Sequence, residues 1–234
     1  MKKHKRLLFI IIPSAVIVLL AAALFILAPF IAMSPAATGP VEDTDIYAVR
    51  NSRNNLFIIP SGEEYIVIDA STDLKDVEKA FNDAGMDPAD VSHVLLTHAH
   101  YDHVGALPLF ANAKIYISED ELTSSSHSLP DSVRLTDLIP LSDWQEMSLG
   151  GHNVTCIKSP GYTAGSMSYI LDGKYMFTGD SMKIDNNTIT EHPFTEERGK
   201  AAETRVLLFT RMLELELVLT AHYGLYYPSL LTLE

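Results

Sequence analysis

The chain has 234 residues, of which 30 are acidic and 17 are lysine or arginine, for a formal charge of −13 at pH 7. Without the four basic residues near its start the remainder carries about −17, a surface that repels nucleic acid and other anionic polymers at long range. A single cysteine, Cys156, excludes an internal disulfide, and its place in the alternating run His152–Lys158 marks it as a small core residue. At the start, Lys2, Lys3, Lys5 and Arg6 precede an apolar run over residues 7–33 that contains Pro13 and no charge. A membrane span needs about 20 apolar residues, whereas a secretory signal has a core of only about 7–15. Residues 1–33 are therefore predicted to be a cytoplasmic basic stub and a transmembrane signal anchor. Glu42, Asp43 and Asp45 follow it, so the positive-inside rule puts the N-terminus in the cytoplasm and the rest outside. Pro35, Gly39 and Pro40 give residues 34–44 the character of a flexible linker, leaving 45–234 as one domain.

Strands are predicted over 46–50, 56–60 and 65–70. Thr72 or Asp73 caps a helix whose apolar positions Val77, Ala80, Phe81 and Ala84 recur at helical spacing, with Gly85 ending it. A further strand covers 91–96, a short helix follows His103 and is limited by Pro108, and 114–118 returns as a strand. Residues 120–145 are mixed, with a loop over 124–128 and no clear period over 135–144. Trp144 reads there as a packing residue. Gly150-Gly151 and Asp172-Gly173 are hairpin turns between alternating strands. A helix over 196–213 precedes a last strand at 215–220. Two halves of strands with helices make a mixed α/β fold, with sheets packed as layers and a site at their edge.

That site is concentrated in Thr97-His-Ala-His-Tyr-Asp-His103. In an extended chain, residues i and i+2 point to the same side, so His98 and His100 can grip one ion together. Where the chain turns, Asp102 and His103 reach a second position. Imidazole and carboxylate donors in this mixture suit zinc, with iron or manganese as other occupants. The cluster follows the apolar Val94-Leu95-Leu96 and so stands at the C-terminal end of a buried strand, where α/β proteins place their sites.

His-x-His-x-Asp-His after an apolar strand resembles the metallo-β-lactamase-fold hydrolases, and four further motifs agree in order. They are Tyr65-Ile-Val-Ile-Asp69, Ser159-Pro-Gly-Tyr-Thr-Ala-Gly-Ser166, Phe177-Thr-Gly-Asp180 and Val218-Leu-Thr-Ala-His222. The resemblance covers about residues 45–226 and implies an αβ/βα sandwich. It also implies that Asp102, His103 and His222 hold a second metal, that Asp180 bridges the two ions, and that Asp69 supports the ligand loop from behind. The first metal would be held by His98 and His100 with a third histidine, but this chain has Tyr162 at that position. A phenol must lose a proton of pKa near ~10 before it ligates. Tyr162 then ligates as tyrosinate, leaves the first position weak beside a working second one, or marks a relative that keeps the fold without catalysis. His93, His127, His152 and His192 read as ordinary strand, surface or loop histidines, and Asn54, Asn55, Lys183 and Tyr223 as turn or surface residues.

The resemblance implies a metallohydrolase that uses metal-bound hydroxide on a small-molecule ester, thioester or lactone. Asp102 would orient water or pass a proton, and Tyr162 would ligate or donate to an oxyanion. The alternative is a membrane-tethered relative with a binding or regulatory role.

Overall fold

The computed structural model describes residues 2–124 and 128–234, with side chains from Val16 onward apart from Phe25. His127 lies outside the described residues. The chain divides into two units, residues 1–34 and 35–234. The first is one continuous helix, α1 (Lys2–Ile31), which contains Pro29. Among the described residues no helix is long and apolar enough to cross a membrane.

The second unit begins with β1 (Gly39–Pro40), β2 (Tyr47–Asn51), β3 (Asn54–Ser61) and β4 (Glu64–Ile68). There follow α2 (Leu74–Asp83), β5 (Val91–Leu95), α3 (Tyr101–Val104), β6 (Lys114–Ser118), α4 (Glu119–Leu122) and β7 (Leu138–Leu141). The second half comprises β8 (Gln145–Leu149), β9 (His152–Lys158), β10 (Met167–Leu171), β11 (Tyr175–Phe177), β12 (Lys183–Asp185) and β13 (Thr188–Thr190). It closes with α5 (Arg198–Met212), β14 (Leu217–Thr220), β15 (Gly224–Tyr226) and β16 (Thr232–Leu233). Strands β1 to β7 form one sheet in sequence order, and a second sheet runs β15-β14-β11-β10-β9-β8. A small third sheet joins β12, β13 and β16.

Period-2 alternation decides which side chains face which layer. On β3, Phe57 and Ile59 join a core with Val154, Cys156, Tyr169, Phe177 and Leu219 from the second sheet, so the two sheets pack face to face. Leu56 and Ile58 point the other way, to a core shared with Val77 and Phe81 of α2. Helix α2 starts where its cap predicts: Asp73 accepts from the N–H groups of Lys75 and Asp76, each at 3.0 Å. Helix α5 buries Ala201, Thr204, Leu208 and Met212, a stripe at helical spacing.

Several sequence expectations are corrected. The supposed linker is not a tether: β1 pairs with β2, and Val41 is buried in the inter-sheet core. Strand β7 occupies part of the stretch without clear period, and the strand at 217–220 is followed by two more. The short helix starts at Tyr101, two residues before His103, and Pro108 sits inside a separate 3-10 turn. Trp144 is exposed, with a positive φ of 54°, and its ring lies 4.7 Å from the Arg211 guanidinium carbon. Its role is a surface cation–π contact, because the turn before β8 leaves no core for it. Cys156 is fully buried as expected, and burial pushes its thiol up to about 12.

Candidate metal centre

Parallel pairing brings the motif ends together. Strand β4 runs parallel to β5, and β11 parallel to β14, so Asp69, the 97–103 segment, Asp180 and His222 all follow C-terminal strand ends. Two backbone bonds tie these ends together, the first across the two sheets and the second within one. Met167 N–H donates to Thr97 O at 2.8 Å, and Thr178 N–H to Leu219 O at 3.0 Å. Gly179 permits the close approach of Asp180. Its φ is +51°, and a Cβ there would lie 2.5 Å from Thr97 Oγ1.

Asp69 holds the loop on which the histidines sit. It accepts from Thr97 N–H at 2.8 Å, from Thr97 Oγ1 at 2.8 Å and from His103 Nδ1 at 2.8 Å. The carboxylate oxygen accepts, so His103 Nδ1 carries a proton and Nε2 faces the opposite way. His222 repeats the arrangement, with Nδ1 donating to Arg53 O at 2.5 Å. His98 Nδ1 meets Thr97 Oγ1 at 3.1 Å, and that hydroxyl already donates to Asp69, so it accepts from the ring.

The free nitrogens converge on carboxylates. His103 Nε2 is 3.4 Å from Asp180 Oδ1, and His222 Nε2 is 3.2 Å from Asp180 Oδ2 and 3.4 Å from Asp102 Oδ2. Three groups of donors lie close enough to share an ion: His98, His103 and Asp180; Asp102, His103 and His222; Asp180, His192 and His222. Among the described residues His98 Nε2, His103 Nε2, His192 Nε2 and both Asp180 oxygens are buried without a hydrogen-bond partner. Buried polar atoms are rarely left so. Nitrogen and carboxylate donors aimed at one small volume are what a zinc ion requires, so the residues fit the metal.

The charged groups of the cluster also hold one another. Burial would raise Asp102 and Asp180, yet the neighbouring His103 and His222 hold both carboxyls below the usual range. Burial would lower His103, but Asp69, Asp180 and Asp102 hold it well above its ordinary value. His222 is likewise pushed up to about 10, Asp180 and Asp102 overcoming burial. Burial keeps His98 low and brings His192 down to about 4.

The site differs from expectation at two histidines. His98, Asp102, His103, Asp180 and His222 come together, but His100 belongs to none of the three groups. Its Nδ1 faces Tyr162 Oη at 3.3 Å, and the two rings meet edge on at 5.2 Å. Tyr162 is buried, and burial followed by the nearby Asp180 raises its phenol well above the ordinary range. In the metal-free site it is a neutral hydroxyl. His192, by contrast, is only 1% exposed and lies in the site, its ring 4.6 Å from that of Tyr162. Sequence gives no periodic cue to a loop histidine whose burial is created by Tyr162 and His222.

Other residues read as turn or surface positions are also buried. Asn54 donates to Asp102 O and accepts from Ser71 Oγ at 2.6 Å, bracing the ligand loop. Asn55 exchanges two bonds with the Ala36 backbone. Tyr223 is 3% exposed beside His192, at 5.6 Å between rings. Lys183 stays at the surface, 3.2 Å from Asp185. His93 stacks on Tyr116 at 5.8 Å, and His152 bonds Asp172 at 2.7 Å.

Sequence reasoning missed Glu121. Fully buried, it accepts from Ala99 N–H at 2.9 Å, Thr163 Oγ1 at 2.7 Å and Gly165 N–H at 3.2 Å. It therefore ties the histidine loop to the loop that carries Tyr162.

Comparison with known proteins agrees with this geometry. A family model described as the metallo-beta-lactamase superfamily matches residues 49–222. A Bacillus subtilis protein named "Probable polyketide biosynthesis zinc-dependent hydrolase PksB" is 33% identical over 141 residues, 59% of this chain and 56% of that one. An atrochrysone carboxyl ACP thioesterase of a Cryptosporiopsis species is 28% identical over 140 residues, covering 59% and 41%. The chain thus spans about half the length of the curated relatives it matches. Among solved structures, an archaeal metallo-beta-lactamase superfamily protein from Sulfolobus tokodaii superposes with a TM-score of 0.61 at 20% identity, covering 82% of this chain and 84% of the other. That likeness shows the mixed α/β sandwich.

Proposed function

Because the chain belongs to the metallo-beta-lactamase superfamily, we propose that residues 35–234 form a zinc-dependent hydrolase of small esters or thioesters. The observation that carries the reading is the set of buried, unpartnered donor atoms on His98, His103 and Asp180. The relatives named as a zinc-dependent hydrolase and a thioesterase support it and favour a thioester.

Zinc bound there supplies Lewis acidity and an acidified water. The chain's own groups divide the remaining work. The Asp102 side chain is 42% exposed, whereas that of Asp180 is fully buried, so Asp102 is the carboxylate an incoming substrate meets. Held ionised by its histidine neighbours, it accepts a hydrogen bond and so orients the attacking water. Tyr162, kept protonated by burial, serves as a neutral donor to a developing oxyanion. Asp69 keeps His103 in one tautomer and one orientation. A panel of generic esters, thioesters and lactones tests the assignment. Turnover of at least one class, abolished by chelation and restored by zinc, is expected. A folded, zinc-loaded protein inert to the whole panel argues instead for a binding role.

The unit is also proposed to work outside the cytoplasm, anchored by residues 1–33. The support is the uncharged run over residues 7–33 after four basic residues, and the exposure of Val16, Ile17, Val18, Leu19 and Leu20 on α1. Deleting residues 2–33 should move the protein from a carbonate-resistant membrane fraction to the soluble one. A full-length chain that carbonate already extracts would overturn the anchor.

A further inference from the structure

Tyr162 removes a nitrogen donor from one loop, and the fold brings another to the same place from elsewhere. His192 lies between β13 and α5, ten residues beyond the Asp180 loop by way of the small third sheet. Its ring packs edge on against Tyr162 at 4.6 Å and lies 5.9 Å from the ring of His222. Nε2 is 3.8 Å from Asp180 Oδ2, and donor atoms of His192, Asp180 and His222 all fall within 4.8 Å of one another. It is buried, and Nε2 has no hydrogen-bond partner. A histidine packed only as a core residue would place that polar edge against an acceptor; this one points it at a carboxylate beyond bonding distance.

We propose that His192 is a metal ligand, supplying the nitrogen that Tyr162 does not. The inference rests on reading the cluster as a zinc site and moves the centre toward Asp180 and His222. Ligation through Nε2 requires the ring proton on Nδ1. Phe194 N–H donates to Nδ1 at 3.4 Å, a long and weak bond that ligation would break as the ring proton moves to Nδ1. The segment is anchored independently of the ring, since Thr195 Oγ1 and Thr195 N–H both donate to His192 O, at 2.7 and 3.2 Å. On the neighbouring stretch, Glu196 and Glu197 N–H groups donate to Tyr162 O and Gly161 O at 3.2 and 2.8 Å, so the two loops move as one.

The test measures zinc affinity by competition with a chromophoric chelator, and the visible spectrum of the cobalt-substituted full chain, for four proteins. These are the wild type, His192→Ala, Tyr162→His and the double variant. His192→Ala should weaken zinc binding at least about tenfold, the lower end of what even a supporting group costs a metal site. Its cobalt bands should shift or lose intensity. Tyr162→His should change affinity little alone and restore it in the His192→Ala background, the coupling expected when two positions compete to supply one donor. His192→Gln, which keeps the bulk of the side chain, should behave like His192→Ala and covers the case in which the alanine variant does not fold. Unchanged zinc affinity and cobalt spectrum in either folded variant would overturn the inference, even if turnover fell. A wild type that binds no zinc would overturn the reading beneath it as well.

Discussion

Replacing Asp180 with asparagine is expected to strip the centre of its metal. Asp180 is the carboxylate common to two of the three donor groups, and both of its oxygens are buried and unpartnered. An amide of the same shape offers one neutral oxygen and turns an N–H₂ toward His103 or His222. Zinc affinity should fall at least about 100-fold, the upper end of the loss caused by disturbing a supporting group alone. Turnover should fall by roughly 100- to 1000-fold, the range seen when a single electrostatic partner of the transition state is removed. The metal-free protein should also suffer. Asp180 offsets His103 and His222, both held above their ordinary pKa, and removing one member of a buried charged set costs about 3–5 kcal/mol. Thermal melts with and without zinc check both effects. Wild type should gain stability from zinc and Asp180→Asn should not; an equal gain in both would show that the ion sits elsewhere.

Glu121→Ala should be the most damaging change away from the donors. It leaves the Ala99 and Gly165 N–H groups and the Thr163 hydroxyl without their acceptor in a dry interior. An unsatisfied buried donor costs about 1–3 kcal/mol, so a total loss of about 3–5 kcal/mol is expected. For a domain of this size, that is a fall in melting temperature of roughly 6–20 °C. Ala99 stands between His98 and His100, so zinc affinity should drop as well, by about tenfold. Glu121→Gln keeps one acceptor oxygen and should recover part of the stability. A melting temperature within about 2 °C of wild type for Glu121→Ala, under 1 kcal/mol on the same scale, would mean that the two loops hold each other without this carboxylate.

The contrast between Asp102 and Glu121 shows which parts of the centre sequence reveals. His98, Asp102 and His103 fall within six positions directly after an apolar strand, so local periodicity and donor type suffice to find them. Asp69, Asp180 and His222 each end an apolar strand, and their convergence is a matter of parallel pairing. Glu121 sits in the acidic run Glu119-Asp120-Glu121, which looks like a solvated face. Only the tertiary fold turns its third member inward, against Gly165. Asn54 and Asn55 lie in the polar stretch Asn51-Ser-Arg-Asn-Asn55, which has the composition of a turn, yet their side chains satisfy backbone groups of the ligand loop and of Ala36. Strands β12, β13 and β16 are two or three residues long, too short for alternation to register. His192 belongs to this class, since its meaning depends on Tyr162 lying 30 residues away.

Titration calorimetry of the metal-free chain with zinc, at pH 7 in two buffers of different ionisation enthalpy, tests the central claim most directly. Asp180 and Asp102 push His222 up to about 10 and, with Asp69, hold His103 well above its ordinary value, so both carry protons at pH 7 that zinc must displace. The sign follows from those upward shifts. The stabilisation His222 gives the metal-free fold is complete below the unfolded value of ~6.5 and lost as pH rises through about 10, while zinc binding strengthens over the same rise. Saturable binding of one or two ions with release of about two protons is expected. Absence of saturable binding, or binding without proton release, would contradict the claim.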